Sequence, residues 1–336
     1  MSAAVVRAGA AGVILGSRRV LAPGRLRWLR ALAWMVGLFV LVTALFLLVA
    51  GIAMAALALA TGTRVHGGVD YGAPGPILFA AMCIAAVAAL AGYVGLVRGV
   101  EDRRAAELAL RPALPELAIG LGLGAAMMAA IVALMWACGW ATLARQPVAS
   151  AWHALAVSVQ SGVLEELLFR LVVFRLLWRA FGIWAALTLS ALLFGFLHLM
   201  NPNASAFAAL CIAFEAGVML AAFYVLTGRL WVSIGVHAGW NFTQGWLFGA
   251  AVSGTSDFIG GPIVLHPAAG VSPILSGGAF GPEASLAALI GGTALGLATL
   301  RLAWRRNGLR AADEGGANAG EAVVGADGLE PPTLSV

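Results

Sequence analysis

The 336-residue chain is 62% hydrophobic and only 10% charged, with a mean hydropathy of +0.96, whereas soluble domains run about 45–50% apolar and about 25% charged. This excludes an ordinary soluble domain, and the main solvent of the chain is lipid. The formal charge of +5 is carried by arginine without any lysine, and membrane topology accounts for it with no nucleic-acid partner.

In chain order, residues 1–30 form an Arg-rich segment in which Arg7, Arg18 and Arg19 interrupt any apolar core, so it does not read as a cleavable signal peptide. Apolar stretches long enough to cross about 30 Å of hydrocarbon follow at 31–60, 76–98, 117–143, 151–178, 183–200, 205–227, 230–250 and 285–304. The expected fold class is all-α, a polytopic membrane protein with about eight transmembrane helices. With both termini cytoplasmic, every arginine except Arg64 and Arg145 lies on the cytoplasmic side, as the positive-inside rule requires. Residues 31–143 are expected to hold the N-terminal transmembrane helices and 150–304 a second membrane domain. The Gly- and Pro-rich connection 251–284 is long enough to be a lid, and the Ala-, Gly- and acid-rich segment 311–336 reads as a disordered tail. Cys83, Cys138 and Cys211 sit in apolar stretches at no metal-like spacing and read as small buried hydrophobes.

The stretch GVLEELLFR, Gly162 to Arg170, places two glutamates and an arginine inside a span. An ionisable group there costs a few kcal/mol and must face a partner or a polar cavity. Glu166 and Arg170 are i,i+4 neighbours on one helix face, while Glu165 points about 100° away. Arg170 can neutralise one carboxylate and leave the other for chemistry. A structural ion pair would explain these residues equally well, but further polar groups recur in later spans. Phe194 precedes His198 by one turn, and His237 and Asn241 share a face at i,i+4.

Depth brings these groups together. The chain turns near Phe181-Gly182, with Glu165 about 16 residues before and His198 about 17 after, so antiparallel helices carry both to one height. From a turn near Gly228, His237 and Asn241 rise about 14 and 20 Å. Glu165 with His198 can polarise a water, and His237 with Asn241 can stabilise an oxyanion. No serine or cysteine nucleophile is evident. A zinc ion on Glu165, His198 and His237 is the metal-dependent alternative, although no HExxH helix is present; no cofactor is otherwise implied. Glu215 is level with Asn241 and either tunes the site or makes a structural hydrogen bond. His153 and His266 read as incidental, and Glu283 as an N-terminal carboxylate of the last helix. The competing classes are a transporter or ion/proton pathway and a catalytically silent membrane partner.

EELLFR (Glu165, Glu166, Arg170), FGFLH (Phe194, His198) and HAGWN (His237, Asn241) resemble, in order and spacing, the three motifs of the CAAX protease and bacteriocin-processing (CPBP, Abi) intramembrane protease family, which includes the type II CAAX prenyl endopeptidases. FYVLTGRLW and SGGAFGPE also look like its bacterial members. The resemblance covers about residues 150–300. It implies a membrane endopeptidase in which Glu165 and His198 activate water, Glu166 and Arg170 support the site, and His237 and Asn241 stabilise the oxyanion. It also implies a peptide or membrane-protein substrate met within lipid. Family members are commonly described as metalloproteases. With the Arg-only, Ala-rich composition, the bacterial likeness suggests a bacterial plasma membrane protein.

Overall fold

The computed structural model describes residues 12–312; Arg7 and the part of the expected tail from residue 313 onward lie outside the described residues. Among the described residues eight long helical rods follow one another. They are α1 (Arg27–Thr61), α2 (Gly75–Leu96, prolonged by the π-helical turn Val97–Glu101), α3 (Ala113–Ala137) and α4 (152–181). Then come α5 (Ile183–Leu197, ending in the 3-10 turn His198–Met200), α6 (206–227), α7 (Trp231–Phe242, prolonged by the π-helical turn Thr243–Leu247) and α8 (Leu286–Asn307).

The fold is an all-α polytopic membrane fold, and among the described residues six helices are long and apolar enough to cross a membrane: α1, α2, α3, α5, α6 and α8. The other two expected spans are helical but of a different kind. Rod α4 carries Gln160, Glu165, Glu166, Arg170, Arg175 and Arg179, which lower its hydropathy, and residues 164–178 are buried almost without interruption. Rod α7 has 12 residues and a π-helical extension of five, short of the ~20 that a span requires. Both are interior helices walled by protein.

The sequence reading misses one element. Expected span 117–143 stops at Ala137, and Ala141–Arg145 forms a strand, β1, antiparallel to β2 (Ile263–Pro267), with Leu143 opposite Leu265. The 251–284 connection is therefore pinned to the end of α3. Ser285, rather than Glu283, caps α8, its side chain accepting the Ala288 N–H.

The hairpin turns fall where expected, since Gly182 (φ +90) and Gly228 (φ +65) occupy left-handed conformations that favour glycine. Helix α7 is drawn into the bundle by close backbone approach. A Cβ on Gly120 of α3 would lie 2.5 Å from Val232 O and 2.8 Å from Gly235 Cα, and one on Gly162 of α4 would lie 2.9 Å from Ala238 Cβ. Without hydrophobic drive between helices in lipid, such small-residue contacts supply dispersion instead.

A buried charge network fastens the first helices to α4. Arg175 donates to both Glu101 oxygens at 2.6 and 2.9 Å, Arg103 Nε donates to Glu101 at 2.6 Å, and Trp34 Nε1 donates to Glu101 at 2.8 Å. Arg103 also pairs with Glu107, which accepts the Tyr93 hydroxyl at 2.5 Å. Every charge has a hydrogen-bonded opposite, which buried charges require.

Candidate active site

The two adjacent glutamates separate as helix geometry demands. The Glu166 side chain is fully buried, whereas that of Glu165 is 35% exposed. Glu166 is clamped from two sides. Its Oε2 faces Arg170 Nε at 3.1 Å, and its Oε1 accepts from His237 Nδ1 at 2.8 Å. Arg170 also donates to Ala216 O at 2.9 Å and lies 4.9 Å over the Phe194 ring. The expected Glu166–Arg170 pair is present, and it fixes His237 as well.

Because the carboxylate can only accept, His237 Nδ1 carries a proton, and Nε2 points toward Glu165 Oε2 at 4.0 Å. Glu165 thus approaches His237. His198 is oriented separately: its Nδ1 lies 2.7 Å from Phe194 O, and since a carbonyl only accepts, the Nε2 lone pair is left for another partner. Phe194 stands between the two imidazoles, with ring centroids 4.7 Å from His198 and 6.4 Å from His237.

His198, His237 and Asn241 line one cavity of about 30 Å³, together with Phe194, Glu215, Ser253 and Glu283, enough room for a water or two. Asn241 is the end of a short relay: its Nδ2 donates to Ser161 Oγ at 3.0 Å, and Ser161 donates to Val157 O at 2.9 Å. One amide N–H remains for the cavity. Ser161 escapes the sequence reading although it lies one turn before Glu165, a spacing that puts it on the motif face.

The zinc set of Glu165, His198 and His237 does not fit. Among the described residues no group of three or more His, Cys, Asp or Glu side chains is gathered to hold a metal ion. Both Nδ1 atoms are committed, to Glu166 and to Phe194 O, which fixes the orientation of each ring.

The connection 251–284 reaches into the site. Ser253 N–H donates to Glu283 Oε1, Gln244 Nε2 donates to Ala251 O at 2.7 Å, and Gly254 N–H donates to Phe280 O at 2.8 Å. Glu283 is 2% exposed and turns to the cavity, which corrects its expected role at the helix end. Burial pushes its carboxyl up to about 7, against opposing hydrogen bonds from Ser253 and Gln244. Glu215 is 1% exposed and lines the same cavity. His153 Nε2 lies 3.2 Å from Tyr71 O and His266 sits in β2, both apart from the cavity lining.

No curated protein and no solved structure matches the chain. Residues 146–243, which span all three motifs, match the family described as type II CAAX prenyl endopeptidase Rce1-like. That match supports the resemblance to CAAX/CPBP proteases carried by Glu165–Arg170, Phe194–His198 and His237–Asn241, over these residues of the chain.

Proposed function

We propose that the protein is an intramembrane endopeptidase, similar to the CAAX prenyl proteases, that hydrolyses a peptide bond with a water activated by its own glutamate and histidine side chains. The observation that carries this reading is the convergence of the second and third motifs on one water-sized cavity, with the first motif's Glu165 beside His237.

In this reading the roles follow from charge and tautomer. Glu165, Glu166 and Arg170 sum to one negative charge, which low dielectric penalises heavily. A second proton on His237 balances it, and His237 Nε2–H becomes a donor. Glu165, the accessible carboxylate, accepts a proton from the water. His198 Nε2 accepts the second water proton as a hydrogen bond and aims the oxygen lone pair at the scissile carbonyl. The oxyanion then takes hydrogen bonds from His237 Nε2–H and from the remaining Asn241 N–H. Glu166 and Arg170 hold His237 in register, and Ser161 holds Asn241.

The test is a quenched fluorogenic peptide with a prenylated cysteine, offered to purified full-length protein in detergent. Glu165→Gln keeps the side-chain shape but cannot take the proton, so cleavage should disappear while thermal stability is retained. Undiminished cleavage by that variant would remove Glu165 from the base position. Proton or ion flux that depends on Glu165, without cleavage, would move the reading to the transporter class.

A further inference from the structure

The mechanism above leaves two carboxyl groups of the cavity unused. Glu215 comes from α6 and Glu283 from the turn before α8, and both are buried to within 2% of completely. Oxygen Oε2 of Glu215 has no hydrogen-bond partner among the described residues, although it lies in the cavity lining. Both acids line the same cavity as His198, His237 and Asn241. No arginine lines it. The guanidinium nearest the chemistry, Arg170, is already committed to Glu166.

Two carboxyl groups that share a buried cavity with no cation of their own cannot both ionise. With the Glu165, Glu166, Arg170 and His237 set already neutral, at least one proton stays on the Glu215–Glu283 pair. The remaining groups facing the pair are His198 from α5, Cys211 from α6, and Ser253 and Gln244 from the connection and from the end of α7. Of the two acids, Glu283 is the better placed to give a proton away. Its carboxyl accepts the Ser253 N–H on Oε1 and a hydrogen bond from Gln244, and it lines the cavity from the turn before α8. Peptide hydrolysis needs such a donor, because an amide nitrogen leaves only when protonated.

We propose that Glu283, supported by Glu215, is the acid that protonates the leaving amine. This rests on the endopeptidase reading. When the tetrahedral intermediate collapses, the C–N bond breaks, its electron pair stays on nitrogen, and nitrogen takes the Glu283 proton. Glu165 holds the proton removed from the attacking water and returns it to Glu283 through cavity water. One water is consumed, one acid and one amine are formed, and both glutamates regain their starting states. The 251–284 connection thereby closes the site and completes its chemistry.

The experiment compares the prenylated fluorogenic peptide with its depsipeptide, in which an ester replaces the scissile amide. An alkoxide leaves with far less need of a proton. Glu283→Gln should lower amide turnover about 100-fold or more and keep ester turnover within about tenfold of the unaltered protein, whereas Glu165→Gln should lose both. The amide rate should also fall as pH rises through neutrality, because the acid must be protonated, and this limb should vanish in Glu283→Gln. Unchanged amide turnover, or equal losses on amide and ester, would overturn the assignment while leaving Glu165 untouched. A substrate-independent arm uses infrared difference spectra of the full-length protein just below neutral pH. A protonated-carboxyl band lost in Glu283→Gln supports the proposal, and no such band overturns it even if neither substrate is cut. Cleavage failing in the unaltered protein, with that band present, counts against the endopeptidase reading alone.

Discussion

Replacing Arg170 with methionine removes the guanidinium from the most buried charge pair of the site and leaves Glu166, whose side chain is 0% exposed, with His237 alone. Breaking a buried pair on one side costs about 3–5 kcal/mol, because the surviving charge is stranded. The hydrogen bond to Ala216 O and the contact over Phe194 would each add about 1 kcal/mol if they were independent. They are not independent, since one side chain makes all three. Moreover, Arg170 Nε and Nη1 lack aligned hydrogen-bond partners, which places the pair at the lower end of its range. The expected loss is about 3 kcal/mol, measured as detergent unfolding monitored by tryptophan fluorescence. Glu166→Gln combined with Arg170→Met removes the stranded charge too, so the double variant should be more stable than Arg170→Met alone. Activity should be lost in both, because His237 loses its fixed carboxylate partner. An Arg170→Met protein as stable as the unaltered one, or a double variant weaker than the single, would refute the reasoning.

Three further outcomes are expected. Asn241→Ala should lower kcat by about 100- to 1000-fold with little change in KM, as measured on the fluorogenic peptide; a raised KM with unchanged kcat would make Asn241 a substrate-binding residue. Gly120→Ala puts a Cβ 2.5 Å from a backbone oxygen of α7, where neither chain can give way cheaply, so it should cost about 1–3 kcal/mol and lower activity by displacing α7; unaltered thermal unfolding would show that α3 and α7 can separate. Burial works against charge on Glu107, but the Arg103 guanidinium outweighs it and holds the carboxyl below its ordinary value. That stabilisation is present above the unfolded value of about 4.3 and fades as pH falls through the depressed folded value, so acid lability should be smaller in Glu107→Gln than in the unaltered protein, with Glu101 of the same network supplying the remainder, when unfolding is followed against pH.

What was legible in the sequence was what helix periodicity and turn glycines control. The Glu166–Arg170 pair follows from an i,i+4 spacing, and Gly182 and Gly228 mark the two hairpins that bring the motifs to one level. The partner of Glu165 was not legible in the same way. The α4 rod is π-helical over Gln160–Glu165 and again over Leu167–Phe174, and each inserted residue rotates the helix beyond it by about 100°. A face assignment made on regular α geometry therefore drifts, and the height argument that paired Glu165 with His198 left its 4.0 Å approach to His237 unseen. The β1–β2 pairing was hidden for another reason. The Trp140–Arg145 stretch is apolar enough to extend a span, and its strand character depends on a partner more than a hundred residues away.

The π-helical turns also recur where polar groups enter the bundle. Glu215 lies in the π-helical segment Ala213–Val218, and the turn Thr243–Leu247 begins two residues after Asn241 and holds Gln244. A π turn is less stable than an α turn and gathers at functional sites, which is consistent with the demand made here. A membrane-buried hydrolytic site must keep one carboxylate reachable and every other charge balanced. Adjacent glutamates on a distorted helix meet both conditions. Glu166 is consumed by Arg170 and His237, and its neutralisation is what allows Glu165, one residue away and 35% exposed, to remain an open anion without the cost of a second stranded charge. In the proposed mechanism the two adjacent acids divide the labour: the buried one holds the histidine, and the open one meets the water.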